Sequence, residues 1–346
     1  MENKLIFLTK ISFLLFQLVF LMSSFSQNTT SIDSTSIISY GDKIVVKLNA
    51  DTRSDTYFVS DRLTNTSLVI LPNDNLRFSL SLDYEFIGFS IGFSPKLLAG
   101  NNDDDLKGKS SFTDYGFRFF LGNWTQELIY SNIQGYYIEN TQDFIPGWEE
   151  NEDPYIQFPN FKTIQWGGST SYIFNNLFSF RNLVYQTEWQ RKSAGSFIPK
   201  LEYIYNRFSN RVNDLKSVEN AFDIKIAPSY YYTWVIDTNW FVSAYLSPGI
   251  GFRFSNSMEK LNEVILEETD EHFIKTLDSG LQLGFSSDKF IFGVNLNLDA
   301  NWYNEDKTTN IEDDKFYAKL YFGYRFNAPK LIQKIFNTVN KKLDDN

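Results

Sequence analysis

The stretch Asn75–Ser94 reads NLRFSLSLDYEFIGFSIGFS and alternates apolar and polar residues twice with almost no gap. Every second residue from Leu76 to Phe86 is apolar, and the residues between them are Arg, Ser, Asp or Glu. From Ile87 to Phe93 the apolar residues alternate with Gly and Ser. A period of two residues is typical of a β-strand with one apolar and one polar face. The stretch therefore predicts two neighbouring strands, and the question is which face points inward.

The same alternation returns along the rest of the chain. The clearest segments are 164–174, 183–190, 200–206, 222–234, 240–254, 290–302 and 316–326, with weaker ones at 112–121, 126–138 and 273–285 and short possible strands at 43–49, 55–60 and 66–71. Most of them run over about 9–13 residues, which suits a tilted strand that crosses a bilayer. Strands of ordinary globular proteins are shorter, at about five or six residues.

Three features indicate that the apolar face meets lipid. The polar face is rich in Gly and Ser, which fit the inside of a curved sheet. Aromatic residues cluster at strand ends, as in the girdles of outer-membrane barrels. These girdle candidates are Trp234, Trp240, Trp302 and Tyr303. The connections also come in two sizes, long and polar or short. We predict an all-β fold, an antiparallel transmembrane (outer-membrane) β-barrel of about 12 strands (10–14) with a short C-terminal helix. A soluble exported β-sandwich is the alternative.

The number of predicted strands does not agree with the side of the membrane on which each connection is expected. The long stretches 95–111, 139–161, 207–220, 255–271 and 303–315 are expected outside the cell, and 235–239 and 286–289 are short turns. Three segments separate 139–161 from 207–220, although two connections on one side require an even number. We infer that one segment between 140 and 206 is miscounted, and that a strand within 43–71 belongs to the barrel. Twelve or fourteen strands would both remove the inconsistency.

The two ends of the chain have their own patterns. Residues 1–26 combine Lys4 and Lys10 with an apolar core and a small-x-small site, which predicts a secretory signal peptide cleaved near Ser26/Gln27. Residues 27–41 are expected to be a flexible leader and 42–326 the barrel. In the tail, 327–346, Leu331, Ile335, Val339 and Leu343 recur every four residues. This predicts a periplasmic amphipathic helix that caps the barrel mouth, with contact at the membrane rim as the alternative.

Composition narrows the possible partners. The chain has 34 Phe, 20 Tyr and no Cys, with a formal net charge of −10. The acidic balance argues against nucleic acid as a partner. A barrel of the Gram-negative cell envelope is expected to contact outer-membrane lipids and the barrel-assembly machinery. No cofactor is expected, and a small-molecule ligand stays open.

The alternation also predicts which charges line the lumen. The basic candidates are Arg77, Arg118, Lys200, Lys225, Arg253, Lys319 and Arg325, and the acidic candidates are Asp83, Glu85, Asp114, Glu188, Glu202, Asp223, Asp278 and Asp299. The two signs nearly balance, whereas a general porin for one ion type would be biased. Charges in a narrow lumen lose solvation, so they are expected to form ion pairs that close it. A polar lining with no role beyond folding is the alternative.

Few residues could support catalysis or metal binding. His272 is the one histidine, and with no Cys most His and Cys metal sites are excluded. An outer-membrane lipid hydrolase, of phospholipase or lipid A deacylase type, would need a His beside a Ser. His272 follows an acidic loop, and we interpret it as a solvated residue. Asp103–Asp105 and Glu149–Asp153 could attract calcium, but their spacing matches no calcium loop. We predict no catalytic residues and no metal site.

Two stretches resemble a known family. Leu71–Phe93, LPNDNLRFSLSLDYEFIGFSIGF, is similar to the Pro-Asn turn and first long hairpin of the family called domain of unknown function 4421. Trp189–Asn206, WQRKSAGSFIPKLEYIYN, resembles its central segment. The resemblance covers most of the mature chain and implies an uncharacterised outer-membrane barrel. It supplies no catalytic residues.

The signal peptide and the barrel pattern together predict the protein's location. The mature protein should fractionate with the outer membrane, start at Gln27, and migrate differently on SDS gels before and after boiling. Membrane fractionation with N-terminal sequencing checks this. A cleaved product that is freely soluble would contradict the barrel.

Overall fold

The computed structural model describes residues 36–53, 55–98, 100–262, 264–304 and 309–344. The expected signal peptide and most of the expected leader lie outside these residues. In chain order the elements are β1 Ile37–Ser39, β2 Lys43–Asp51, β3 Tyr57–Asp61, β4 Thr66–Leu71, β5 Arg77–Tyr84, β6 Ile87–Phe93, α1 Asp104–Lys107, β7 Ser111–Leu121, β8 Trp124–Ile138, a 3₁₀ helix Thr141–Asp143, β9 Gln157–Tyr172, α2 Phe180–Val184, β10 Glu188–Gln190, β11 Ala194–Val212, β12 Leu215–Val235, β13 Trp240–Leu261, β14 Val264–Ser286, β15 Phe290–Asn304, β16 Thr309–Asn327 and α3 Lys330–Asp344.

Twelve strands form a closed antiparallel barrel, which confirms the predicted fold and strand number. They are β2, β5 to β9 and β11 to β16, and each pairs with its neighbour in this order. The ring closes where β2 pairs with both β5 and β16. Closure leaves no open edge, so backbone N–H and C=O groups within a membrane find partners in the sheet itself.

The sheet is apolar on its outside. On β13, Ile250 and Phe252 are each 50% exposed, whereas Ser247 on the other face is fully buried. Each of the twelve barrel strands carries large exposed apolar side chains of this kind. A water-soluble sheet would bury such residues, so this arrangement is that of a barrel surrounded by lipid. No helix among the described residues is long and apolar enough to cross a membrane.

The inconsistency in the strand count is resolved within 173–193. The alternating segment 183–190 is not a barrel strand, because its residues form the end of α2 and the short strand β10. β10 pairs with β1 of the expected leader, which is therefore structured from Ile37. The missing strand is β2, whose Lys47, Asn49 and Asp51 alternate with apolar residues.

The stretches 207–220, 255–271 and 303–315 are not long loops, contrary to the sequence-based expectation. Cross-strand pairing continues through them, so that β11 to β14 reach 19–23 residues. Asn213 and Asn262, both with positive φ, lie in the β11–β12 and β13–β14 turns. At about 3.3 Å per residue such strands exceed the thickness of the hydrocarbon layer even when tilted. The sheet therefore extends beyond the membrane.

A hairpin, β3–β4, bridges strands that are not neighbours within the membrane. β3 pairs with the first residues of β16, and β4 pairs with the end of β8. The hairpin thus lies beyond the ends of the short strands β2, β5, β6 and β7, on the side away from their short turns. We assign this end as extracellular, because the short turns between β5 and β6, β7 and β8, β12 and β13, and β14 and β15 lie at the other end.

The C-terminal helix α3 does not cap the barrel mouth. Its Ile332 and Phe336 pack against Ile44 and Tyr84, at the periplasmic end of β2 and β5. The periplasmic end of the lumen is filled by 173–193 instead.

The orientation of the strands can be tested with one pair of substitutions. Leu201→Lys places a charge on the outer face of β11, where the leucine is exposed, and Ser169→Lys places it in the lumen beside Glu127 and Glu202. A lysine near the membrane midplane on the lipid side costs about 2–4 kcal/mol. We expect Leu201→Lys to lower the folded fraction in lipid vesicles, measured by gel mobility without boiling.

Ser169→Lys is the matched control and should fold nearly as well as the unmodified protein. Equal losses in the two variants would mean that the assignment of inner and outer faces on these strands is wrong.

Candidate functional site

Most of the predicted lumen charges lie on the inner face of the barrel. Those on barrel strands that face inward are Arg77, Asp83, Asp114, Arg118, Lys200, Glu202, Asp223, Lys225, Arg253, Asp278, Asp299, Lys319 and Arg325. Two candidates do not line the wall. Glu85, with a φ of 51°, lies in the turn between β5 and β6. Glu188 belongs to β10 and pairs with Arg181 of α2. Alternation alone does not separate wall strands from segments inside the barrel.

Four of these charges form a chain of ion pairs along one side of the lumen, on β11, β12 and β14. Lys225 Nζ lies 2.8 Å from Glu202 Oε2, and Glu202 also pairs with Lys200. Lys200 Nζ then donates to Asp278 Oδ2 at 2.9 Å. Lys200 is on β11 and Asp278 on β14, so this contact spans the two strands between them. We call Lys225–Glu202–Lys200–Asp278 the ion-pair chain.

A second pair, nearer the extracellular end, joins two adjacent strands. Arg253 Nε and Nη2 each donate to a carboxylate oxygen of Asp223 at 2.7 Å, a geometry that gives strong, directional hydrogen bonds. Arg253 Nη1 donates to the Tyr303 hydroxyl at 2.7 Å, and the guanidinium lies 4.6 Å from the Tyr303 ring. Tyr303 therefore faces the lumen and is not a girdle residue, contrary to the sequence-based interpretation.

The remaining girdle candidates have different surroundings. Trp240 is partly exposed at the periplasmic end and contacts the rings of Phe285 and Phe292. Trp234 lies on the other side of the same turn, against Tyr232. Trp302 lies on the face of β15 opposite to Tyr303.

A cavity of about 380 Å³ occupies the extracellular half of the barrel. Its wall is largely apolar, with Ile133, Phe161 and Phe208 among its residues. Charged and polar groups line another part of it, including Arg253, Asp223 and Lys225. We call this the outer cavity. It can hold a small solute that has both an apolar and a polar part.

Two contiguous cavities of about 380 and 270 Å³ lie further toward the periplasm. They share Arg118, Glu127 and Lys319 in their linings, and we call them together the inner chamber. Within the described part of the chain, no ion-pair partner lies within 4 Å of any of these three side chains. The lining of the inner chamber therefore combines these three charges with paired ones such as Lys200 and Glu202.

The connection 173–193 occupies the periplasmic end of the lumen, and we call it the plug. Its Tyr185 is fully buried and packs with Phe178 against Phe120 and Ile198 of the wall. Gly88 of the wall makes room for it, because a Cβ there would lie 2.9 Å from the Tyr185 ring and 2.3 Å from Asp83. The plug therefore has its own small apolar core inside the barrel.

Two wall cations hold the plug by its backbone. Lys47 Nζ donates to the Val184 carbonyl and to Gln186 Oε1, both at 2.6 Å. Arg325 donates from Nε and Nη2 to the Gln186 carbonyl at 3.0 and 2.6 Å. Lys47 also pairs with Asp83 at 3.1 Å. Lys47 was not among the residues predicted from the sequence, although the alternation in β2 places it on the polar, inner face.

A buried cluster of charged residues lies at the extracellular start of β5. Arg77 donates to Asp55 and Asp74 at 2.7 and 2.8 Å, and its guanidinium lies 4.0 Å from the Phe112 ring. Burial of the Asp74 carboxyl raises its pKa to about 6, although Arg77 acts in the opposite direction. The cluster joins the start of β5 to the chain segments on either side of the β3–β4 hairpin.

His272 is not solvated, contrary to expectation. It is buried, with its Nε2 3.5 Å from the Ser255 hydroxyl and its Nδ1 3.1 Å from the Asn304 carbonyl. Neither His272 nor Ser255 lines the outer cavity or the inner chamber.

Two of the acidic loop carboxylates form ion pairs. Asp103 and Asp104 pair with Lys107 and Lys96. Among the described residues, no group of three or more His, Cys, Asp or Glu side chains could hold a metal ion.

The closed sheet, the apolar belt and the polar, plugged lumen define an outer-membrane β-barrel protein. The chain belongs to the family described as "Domain of unknown function (DUF4421)", whose model matches residues 31–326. The resemblance noted in the sequence is thereby confirmed. No curated protein matches the chain.

Several solved structures are similar to this chain at low identity. The outer membrane protease OmpT from Escherichia coli is 8% identical, with a TM-score of 0.36 over 85% of this chain and 100% of its own. The translocator domain of the autotransporter NalP from Neisseria meningitidis is 8% identical, with a TM-score of 0.41 over 90% and 94%. The COG4313 outer membrane channel from Pseudomonas putida F1 is 10% identical, with a TM-score of 0.39 over 86% and 100%. These values carry no argument about activity.

Proposed function

We propose that this protein binds a small solute from outside the cell and acts as a narrow, normally closed path across the outer membrane. The observation that carries the proposal is the plug, which fills the periplasmic end and is held by Lys47 and Arg325. The outer cavity supplies a place for the solute, and the inner chamber supplies a space behind it. The ion-pair chain lines the path between them.

Export, insertion and the surrounding lipid are part of the proposed role. The signal peptide is cleaved near Ser26/Gln27, the barrel-assembly machinery inserts the chain, and outer-membrane lipids surround it. The polar lumen needs no cofactor and no nucleic acid for this role. The chemistry of the outer cavity favours a solute with an apolar part against Phe161 and Phe208 and a polar part near Arg253.

An enzymatic role is the second candidate, and the contact between Ser255 and His272 favours it. A nucleophilic serine needs a histidine within hydrogen-bond reach and a substrate at the hydroxyl. Both side chains are buried on the inner face, away from the lipid. We therefore propose a binding or transport role and not lipid hydrolysis.

Conductance across planar bilayers tests the closed path. The unmodified protein should show little steady current. Lys47→Ser with Arg325→Ser removes the donors that hold Val184 and Gln186, so the plug should loosen and the current should rise several-fold. Lys200→Ser with Lys225→Ser breaks the ion-pair chain but leaves the plug in place, and should raise the current much less.

The matched control is Lys216→Ser with Lys260→Ser, which removes two exposed lysines on the extracellular parts of β12 and β13. It should leave the conductance unchanged. Large, stable currents through the unmodified protein would overturn the closed path and leave a general pore as the better account.

Hydrolysis of phospholipid vesicles tests the second candidate. We expect the unmodified protein, His272→Ala and Ser255→Ala to give the same background rate, because both side chains are buried on the inner face of the described barrel. Heat-dependent gel mobility controls for folding. A measurable activity that both substitutions abolish in folded protein would establish the hydrolase.

A further inference from the structure

The C-terminal helix α3 lies on the outside of the barrel, at the periplasmic end. Its Phe336 ring centre is 4.7 Å from that of Tyr84 and 5.2 Å from that of Phe86. Ile332 packs in the same cluster, together with Val46. Val46 pairs with Leu82 across the strands and shares its outward face, on which Leu82 is exposed. The helix therefore covers the wall where the apolar belt ends.

Two apolar side chains remain uncovered in the part of α3 whose side chains the structure describes. Leu331 is 71% exposed and Ile335 is 54% exposed. Residues four apart lie on one face of a helix, so these two form a row beside the packed residues Ile332 and Phe336. The row borders the residues that pack on the outward face of β2 and β5, and it would be in contact with water unless something covers it.

Two lysines continue around the same helix. Lys330 and Lys334 are exposed and lie on the side away from the barrel. The lysines lie opposite to the packed residues Ile332 and Phe336, and the exposed apolar row lies between the two. An exposed apolar row bordered by lysines is typical of a helix that lies in a membrane interface. Lysine side chains at the surface of a membrane can reach the phosphate groups of anionic lipids, which attract basic residues.

We propose that α3 binds the periplasmic surface of the outer membrane. Leu331 and Ile335 insert among the acyl chains of the inner leaflet, and Lys330 and Lys334 contact the phosphate-bearing headgroups of its phospholipids. The helix packs on the outward face of the wall, beside the exposed Leu82, and this position favours lipid over a soluble protein as the partner. This inference does not depend on the proposed transport role.

Site-directed spin labelling can measure the depth of the helix. The chain has no cysteine, so Leu331→Cys or Lys334→Cys gives one labelling site in the full-length barrel. The folded protein is placed in vesicles of phosphatidylcholine with phosphatidylglycerol. At position 331 collisions with dissolved oxygen should exceed those with a water-soluble nickel chelate several-fold, and at 334 the nickel chelate should dominate. Equal access of the nickel chelate to both sites would overturn the proposal.

Shielding of position 331 from both reagents would mean that protein covers it, and would also overturn the proposal. The headgroup contact has its own test in Ile335→Cys, with and without Lys330→Gln and Lys334→Gln. The double substitution should reduce the depth of the label in vesicles with phosphatidylglycerol and leave it unchanged in pure phosphatidylcholine. An identical depth in all four samples would remove the headgroup contact from the proposal.

Discussion

Hydrocarbon offers no hydrogen-bond partner to a peptide group, and the structure of this protein follows from that constraint. A sheet in lipid must close on itself, and here it closes between β2 and β16. Closure requires a continuous series of strands, and each strand must present one face to lipid. The alternation of Asn75–Ser94 satisfies this requirement in sequence, and the exposed Leu80, Phe89 and Ile91 satisfy it in space.

The same constraint explains the lumen. Polar residues that cannot face lipid are placed inside, where space and water are limited, so their charges are compensated by one another. The ion-pair chain and the Arg253–Asp223 pair are two results of this. Lys47 and Arg325 satisfy their donors in another way as well, because both also donate to backbone carbonyls of the plug. Two of the wall charges thus stabilise a segment that is not part of the wall.

Much of the fold could be predicted from the sequence, because alternation is a local property of each strand. The closed barrel, its strand number and the inward position of most lumen charges followed from that alternation. The plug could not be predicted in the same way. Tyr185, Thr187 and Trp189 alternate like a strand, but their apolar side chains are buried inside the lumen and do not face lipid. Alternation shows that one face is apolar, and does not show what covers it.

The contacts of the candidate site could be predicted less completely than the fold, again because a local pattern does not show what surrounds a side chain. Lys47 lies on a short strand that the sequence marked only weakly. Tyr303 was assigned to the lipid boundary because of its residue type. Its hydroxyl instead accepts a hydrogen bond from Arg253 in the lumen. The partners of Arg325 are carbonyl oxygens, which carry no signature in the sequence. Contacts between distant strands depend on how the ring closes, and no local pattern records this.

The β3–β4 hairpin changes the width of the barrel along its axis. Within the membrane β16 and β8 are separated by β2, β5, β6 and β7, but above it β3 and β4 alone connect them. The ring beyond the membrane therefore has ten strands where the membrane part has twelve. Since the diameter of a barrel grows with its number of strands, the protein tapers toward the outside of the cell. The part of the barrel that faces the medium is therefore narrower than the part that the membrane surrounds.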